Sequence, residues 1–326
     1  MYSGVKVLVT GCSGFLGPWL CQRLLADGAV VIGCDIQFDE QSRIHEMSDR
    51  IELVELDVER LDKIEDVISK HDVQIVFHLA AQALVGKALA EPLATLATNV
   101  MGTANILEAA RRLQNSSKAL KGIVVASSDK AYGEQDELPY LESAPMQGRY
   151  PYDVSKSCAD LIARSYFHSY GLPVTVVRCG NLYGGGDLNW SRIVPGTIRS
   201  LLRGERPVIR SDGRLVRDYT YIEDAADAIA RLGLKHLSAD TTGGASFNIS
   251  ADIPLSVIGL VLLLLDATER QDLIPVIENS ATGEIRVQFL NSGKLRDETG
   301  WTPETSLGDG LSRTVEWYRA HENLIR

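Results

Sequence analysis

The chain has 326 residues, of which 45% are hydrophobic and 23% charged, and its formal net charge is −10. That composition suits a globular protein with a sizeable core, and the negative balance argues against nucleic acid or an anionic membrane as the main partner. An anionic ligand is still compatible with it, because local arginines and helix N-termini outweigh the global sign where they cluster.

Val5 to Thr10 is a short apolar run that stops at Gly11, and Trp19 to Leu25 follows at helical spacing. Val30 to Asp35 reads as a second strand ending on an acid, Ile51 to Leu56 as a third and Val73 to Leu79 as a fourth. A long helical pattern from Leu93 to Leu113 precedes a fifth strand, Gly122 to Ser127, then a helix from Val154 to Tyr170 and a strand from Pro173 to Arg178. Strands alternating with helices imply right-handed crossovers and an α/β, Rossmann-type, doubly wound parallel sheet. After Gly184 the segments shorten and carry more Pro and Gly, although Asp224 to Leu234 reads as a helix that packs on the first domain. The expected division is a dinucleotide-binding domain over 1–184 plus about 216–242, and a smaller substrate lobe over 185–215 and 243–326. No internal repeat or low-complexity tract is present.

The five cysteines (Cys12, Cys21, Cys34, Cys158 and Cys179) are scattered without a CxxC, as expected of reduced residues in a cytoplasmic protein. The six histidines show no metal-ligand spacing, so no metal site is expected. The N-terminus enters a strand pattern directly, without the features of a signal peptide. The longest apolar run, Val257 to Leu265, is too short to span a bilayer and reads as a buried helix.

Thr10-Gly11-Cys-Ser-Gly14-Phe-Leu-Gly17 joins the first strand to the first helix. Glycines there permit a tight turn, close approach of backbone to a pyrophosphate, and close helix–strand packing, with the helix N-terminus facing the phosphates. A plain strand–helix turn does not require three glycines at this spacing. Asp35 closes the second strand, where a carboxylate accepts from both ribose hydroxyls and repels a 2′-phosphate, which favours NAD over NADP. Asp57, after the third strand, is placed to meet the adenine.

Tyr152 and Lys156 lie four apart in a helical pattern and so share a face. An ammonium beside the phenol is expected to lower the tyrosine pKa, so that Tyr152 takes a proton from a substrate hydroxyl as hydride leaves the same carbon. Ser128 is placed to supply a second hydrogen bond to that oxygen. Such a redox pair needs no further acid–base groups, yet Ser128 is followed by Asp129 and Lys130.

The chain resembles the extended short-chain dehydrogenase/reductases of the nucleotide-sugar epimerase and dehydratase group. The likeness runs through Thr10–Gly17, His78-Leu-Ala-Ala81, Thr98-Asn-Val-Met-Gly-Thr103, Tyr152–Lys156, Arg178-Cys-Gly-Asn-Leu-Tyr-Gly184, Arg217-Asp-Tyr-Thr-Tyr-Ile-Glu-Asp224 and Gly300-Trp-Thr-Pro303. It implies a tightly held NAD, a nucleoside-diphosphate sugar oxidised transiently at C4, and a homodimer built from the helices near 93–113 and 154–170. The cofactor surface it implies comprises Gly11, Ser13, Gly14, Phe15, Leu16, Gly17, Asp35, Asp57, Val58, Leu79, Ala80, Ala81 and Asn99, with Tyr152 and Lys156. Gln82, Lys87, Asn181, Arg192 and Arg217 would hold the sugar nucleotide, Arg217 through a charge-assisted contact to the diphosphate. For either arginine the competing reading is a surface salt bridge.

Within this group the 4,6-dehydratases need an acid–base pair directly after the catalytic Ser or Thr, usually Asp-Glu, and simple 4-epimerases do not. The Asp protonates the departing C6 hydroxyl, the next residue removes the C5 proton, and hydride returns to C6 to leave a 4-keto-6-deoxy sugar. Ser128-Asp129-Lys130 resembles the CDP-glucose 4,6-dehydratases. Ala88 stands where many members carry Ser. Lysine is an unusual base, with a reference pKa of about 10.4; it serves either as a proton shuttle or as a cation that stabilises an enolate. The alternatives are a 4-epimerase or other C4-oxidising enzyme with an uncommon Asp-Lys, and, from another class, a non-catalytic dinucleotide-binding protein.

Overall fold

Short runs such as Lys6–Thr10 and Ile75–His78 are apolar on both faces, the pattern of strands covered by helices on each side. In the computed structural model, which describes residues 1–114, 120–238, 242–281 and 283–325, they form one parallel sheet. Its elements in the first half are β1 (Lys6–Thr10), α1 (Leu16–Ala26), β2 (Val30–Asp35), β3 (Glu52–Glu55), α2 (Leu61–Lys70), β4 (Ile75–His78), α3 (Val85–Ala90), α4 (Pro92–Leu96), α5 (Gly102–Leu113), β5 (Gly122–Ser128), α6 (Pro151–Tyr170) and β6 (Val174–Cys179). The order β6-β5-β4-β1-β2-β3 reverses direction between β4 and β1, which opens a crevice above the C-terminal ends of those strands. One core layer, with Val7, Val9, Phe77 and Leu20, packs α1 beneath one face; another, with Leu8, Val76, Ile106 and Ile123, packs α2 and α5 beneath the other.

The helix expected over Leu93–Leu113 is not continuous. A single π-helical turn, Ala97–Met101, separates α4 from α5. Side-chain demands on that turn account for it. Asn99 donates to the Gln82 carbonyl and to Ser155, and Thr103 returns its hydroxyl to the Asn99 carbonyl.

The second half contains β7 (Asn181–Tyr183), α7 (Ile193–Leu202), β8 (Val208–Ile209), β9 (Val216–Tyr221), α8 (Ile222–Lys235), β10 (Ser246–Ile249), β11 (Pro254–Ser256), α9 (Val257–Thr268), β12 (Val276–Ile277) and β13 (Val287–Gln288). Residues 246–249 depart from the expected small lobe, because β10 pairs with β6 as the seventh strand of the main sheet. Its polar side chains explain the placement: Asn248 meets Tyr132, and Ser246 meets Arg178, both inside the first half. α9 also differs from a fully buried helix. Leu260, Val261 and Leu264 pack inward, while Leu262 is 50% exposed.

A second, smaller sheet is centred on β9, with β11 antiparallel on one side and β13 and β7 parallel to it. Only Gly180 separates the end of β6 from the start of β7. The small sheet therefore begins where a main strand ends, and it sets Asn181, Arg217 and Gln288 beside the C-terminal ends of β5 and β6. Among the described residues no helix is long and apolar enough to cross a membrane.

Candidate active site

A cavity of about 1360 Å³ lies over the C-terminal ends of the parallel strands and extends to the small sheet. Gly11 opens its cofactor end in a left-handed conformation (φ +72°), and a Cβ there would lie 2.7 Å from the Ala80 nitrogen. A Cβ on Gly17 would lie 2.4 Å from the Gly11 carbonyl, so both positions need glycine for backbone contact. Gly14 differs: a Cβ would meet only the Gly11 carbonyl, at 3.4 Å, on the cavity wall. The N-terminus of α1 has no capping side chain and no acid in its first turn, and the buried Ser13 hydroxyl beside it has no partner. These unmet donors suit a pyrophosphate.

At the end of β2, Asp35 accepts from the backbone N–H of Ser13 (2.9 Å) and of Ile36 (2.8 Å). Burial pushes its carboxyl up and these N–H groups pull it back. Asp57 and Val58 line the same end, as do Phe15, Leu16, Leu79, Ala80 and Ala81. Asn99 does not. It is 1% exposed and sits behind the wall, where it accepts from the Gln82 N–H (2.7 Å) and donates to the Gln82 carbonyl (3.0 Å). Its expected place against the cofactor becomes a place against the loop that forms the cleft. The reason is that the π-helical turn aims its amide at backbone. His78 is likewise structural, held between Thr10 and Thr103 and pushed down to about 3 by burial, hence neutral.

α6 starts at Pro151, so Tyr152 and Lys156 occupy its first two turns and both line the cavity. Burial pushes the Tyr152 phenol up to about 12, with Asp129 adding to the rise, while Arg192 and a hydrogen bond to Ser128 oppose it. The net shift is upward, opposite to the lowering expected beside Lys156. The Lys156 ammonium donates to the Ala126 carbonyl (3.0 Å), and burial pushes its own pKa down to about 8.

The Ser128–Lys130 segment is a tight turn. The Ser128 hydroxyl accepts from the Lys130 N–H (3.2 Å) and donates to Asp129 Oδ1 (2.9 Å). Asp129 is 3% exposed, its Oδ2 has no partner, and the residue lines the cavity. Lys130 also lines it, with its ammonium on the Gln288 side-chain carbonyl at 2.9 Å.

At the substrate end Gln82, Lys87, Asn181, Arg192 and Arg217 all line the cavity. Asn181 donates to the Asp218 carbonyl (3.2 Å). Arg192 pairs with buried Asp187 (3.0 Å), and Arg217, itself only 7% exposed, pairs with Glu284 (3.2 Å). Ala88 is fully buried in α3 and lies off the cavity wall, so a hydroxyl at that position would not face a ligand from there.

Two buried polar residues near this site gave no signal in the sequence. Gln288 reaches Lys130 from β13, 158 residues away. Asp218, beside Arg217 on β9, accepts from the Ser250 hydroxyl and the Leu290 N–H, and its Oδ1 is unpartnered against Gly180. Burial first, then the Asp129 charge, push the Asp218 carboxyl up to about 7.

A family model described as GDP-mannose 4,6 dehydratase matches residues 8–314. The chain belongs to that family. Proteins similar to it divide between two reactions. It is 28% identical to a CDP-glucose 4,6-dehydratase of Salmonella typhimurium over 334 residues, which cover 98% of this chain and 92% of the relative. A UDP-glucose 4-epimerase from Thermotoga maritima, solved with UDP-glucose, superposes with a TM-score of 0.88 at 29% identity, covering 98% of this chain and all of the other. DesIV, a dTDP-glucose 4,6-dehydratase of Streptomyces venezuelae solved with NAD and TYD bound, superposes at 0.87 and 28% identity, with 98% of each chain covered. The family places this chain among the extended short-chain dehydrogenase/reductases, as an NAD-dependent sugar-nucleotide dehydratase or epimerase.

Proposed function

We propose that the chain is a nucleotide-sugar 4,6-dehydratase and that a CDP-glucose-like sugar nucleotide is its substrate. The observation that carries this reading is the Asp129 carboxyl group: it is buried and held by Ser128 through one oxygen only, its other oxygen is unpartnered, and the residue lines the cavity. C4 epimerisation has no use for such a group. Elimination does, because the departing C6 hydroxyl needs a proton.

Residues 1–184 with about 216–242 would hold the cofactor, with Asp35 on the adenosine ribose and Ser13 and the α1 N-terminus on the pyrophosphate. When bound, NAD supplies the hydride acceptor for C4, the hydride donor for C6, and the positive charge of its oxidised ring. Tyr152 takes the C4 hydroxyl proton, with Ser128 as the second donor to that oxygen. Lys156 anchors the ribose side and stays fixed on the Ala126 carbonyl. Asp129, protonated for this step, gives its proton to the C6 oxygen, which leaves as water, and Lys130, entering the step as the free amine, takes the C5 proton that the C4 ketone has acidified. Arg217 and Arg192 would exchange Glu284 and Asp187 for the diphosphate, with Asn181 beside them.

Support for the CDP-sugar comes from the Asp129-Lys130 order and from the Salmonella relative. The exposed apolar side chains Leu93, Met101 and Leu161 on α4–α6 support a homodimer through those helices. The test is incubation of the NAD-loaded protein with CDP-, dTDP-, UDP- and GDP-glucose and detection by mass. A product lighter by one water, formed fastest from the CDP-sugar, is expected. Products of unchanged mass with C4 inverted would assign the epimerase reading, which the likeness to the Thermotoga epimerase favours.

A further inference from the structure

Lys130 has a long flexible stem, and its ammonium is hydrogen-bonded to a side chain from the small sheet. The carboxamide that fixes it belongs to Gln288, whose side chain is fully buried. Both ends of that carboxamide are engaged with the same turn: Oε1 accepts from Lys130 Nζ (2.9 Å) and Nε2 donates to the Asp129 carbonyl (3.0 Å). We infer that Gln288 is a positioning residue for elimination, holding the Lys130 ammonium and the Asp129 backbone in register with the C5–C6 edge of the sugar.

Three further observations point the same way. Gln288 pairs with Arg217 across β13 and β9, so the strand that orients Lys130 is registered against the strand that presents the diphosphate arginine. Substrate grip and acid–base geometry are thereby set by one small sheet. The chemistry of the amide also suits the task. A carboxylate at 288 would pin the proton on Lys130, whereas a neutral carbonyl fixes the place of the nitrogen and leaves it free to give or take a proton. Finally, the contact is selective within the turn. Ser128 and Tyr152 belong to the oxidation step, and neither shares a hydrogen bond with Gln288.

The inference rests on the dehydratase reading and is tested with the NAD-loaded full chain and the sugar nucleotide that it dehydrates. Gln288→Met, close in size and without hydrogen bonds, should slow loss of water by about 10²-fold, the cost of a small misplacement of a reacting group. Hydride removal at C4, followed by reduced-cofactor absorbance, should stay near the wild-type rate, and the 4-keto sugar should accumulate without exchange of its C5 hydrogen in D2O. The double variant Q288M/K130M should lose less than the product of the two single losses, because Gln288 acts in part through Lys130. Equal slowing of both steps by Q288M, or losses that multiply in the double variant, would overturn the inference. If Q288M does not fold, Gln288→Asn, which keeps an amide but shortens its reach, is read by the same ratio of the two steps. A wild-type enzyme that releases no water from any sugar nucleotide sinks the dehydratase reading, and this inference with it. Water loss by the wild type beside an unaffected Q288M sinks this inference alone.

Discussion

Two buried aspartates, one in the catalytic turn and one on α6, are treated in opposite ways. Asp160 has both oxygens on Arg178 (2.7 and 2.9 Å), and Arg178 also reaches the Tyr132 hydroxyl, the Glu142 carbonyl and Ser246. Every element around that pair, from α6 to β10, is tied through it. Asp129 is almost as buried but is held by one oxygen, and the other has no partner. Burial with full compensation makes a strut, whereas burial left uncompensated is tolerated where a ligand completes it. The difference separates structure from chemistry more sharply than residue type does, since both are aspartates.

The comparison can be broken by four substitutions. The largest effect is expected at the redox tyrosine. Tyr152→Phe should lower ketone formation by about 10³-fold or more with an unchanged melting temperature, read as loss of reduced-cofactor absorbance on mixing with substrate. Arg178→Met strands the Asp160 charge and should cost about 3–5 kcal/mol of stability, read by urea unfolding; a near-neutral value would show that the strut is dispensable. Asp129→Asn should slow water loss by about 10²-fold and leave the melting temperature level, because no ion pair is broken. A melting temperature that drops as in Arg178→Met would put Asp129 among the struts. The smallest effect is at Asp218, whose carboxyl is raised to about 7 in the folded protein from an ordinary value of about 3.9. The folded state then keeps a proton that the unfolded chain releases, so this contribution to stability falls as pH rises from about 4 to about 7. Asp218→Asn should flatten that part of the melting-temperature profile relative to wild type; parallel profiles would show that Asp218 is ionised throughout.

How far the sequence could be read follows from the distance over which each feature is encoded. The glycine loop, Asp35 and the Tyr152–Lys156 pair are local patterns, each written within one turn or one strand end, and all of them line the cavity. The sheet was equally legible because strand–helix alternation is local. The contacts of Asn99 could not be read from the sequence, because its direction depends on a π-helical turn that spacing does not reveal. The place of the Lys156 ammonium was hidden for a similar reason. Shared helix face says nothing about where a four-carbon stem ends, and it ends on Ala126. β10 was hidden because its strand pattern follows a break in texture and its partners lie far upstream. Gln288 and Asp218 could not be found by spacing, since their roles arise only when β9 and β13 come together above the main sheet.

The π-helical turn at Ala97–Met101 has a consequence for how this protein tolerates change in length. Such a turn carries one residue more than the α-helix it interrupts, and its wider winding absorbs that residue, so α4 and α5 keep their rotational phase. Deleting one residue there would heal the helix locally and leave exposed Leu93 on its present face, but it would remove the turn that aims Asn99 at the Gln82 backbone. A single deletion would therefore act on the cleft wall while sparing the outer apolar face.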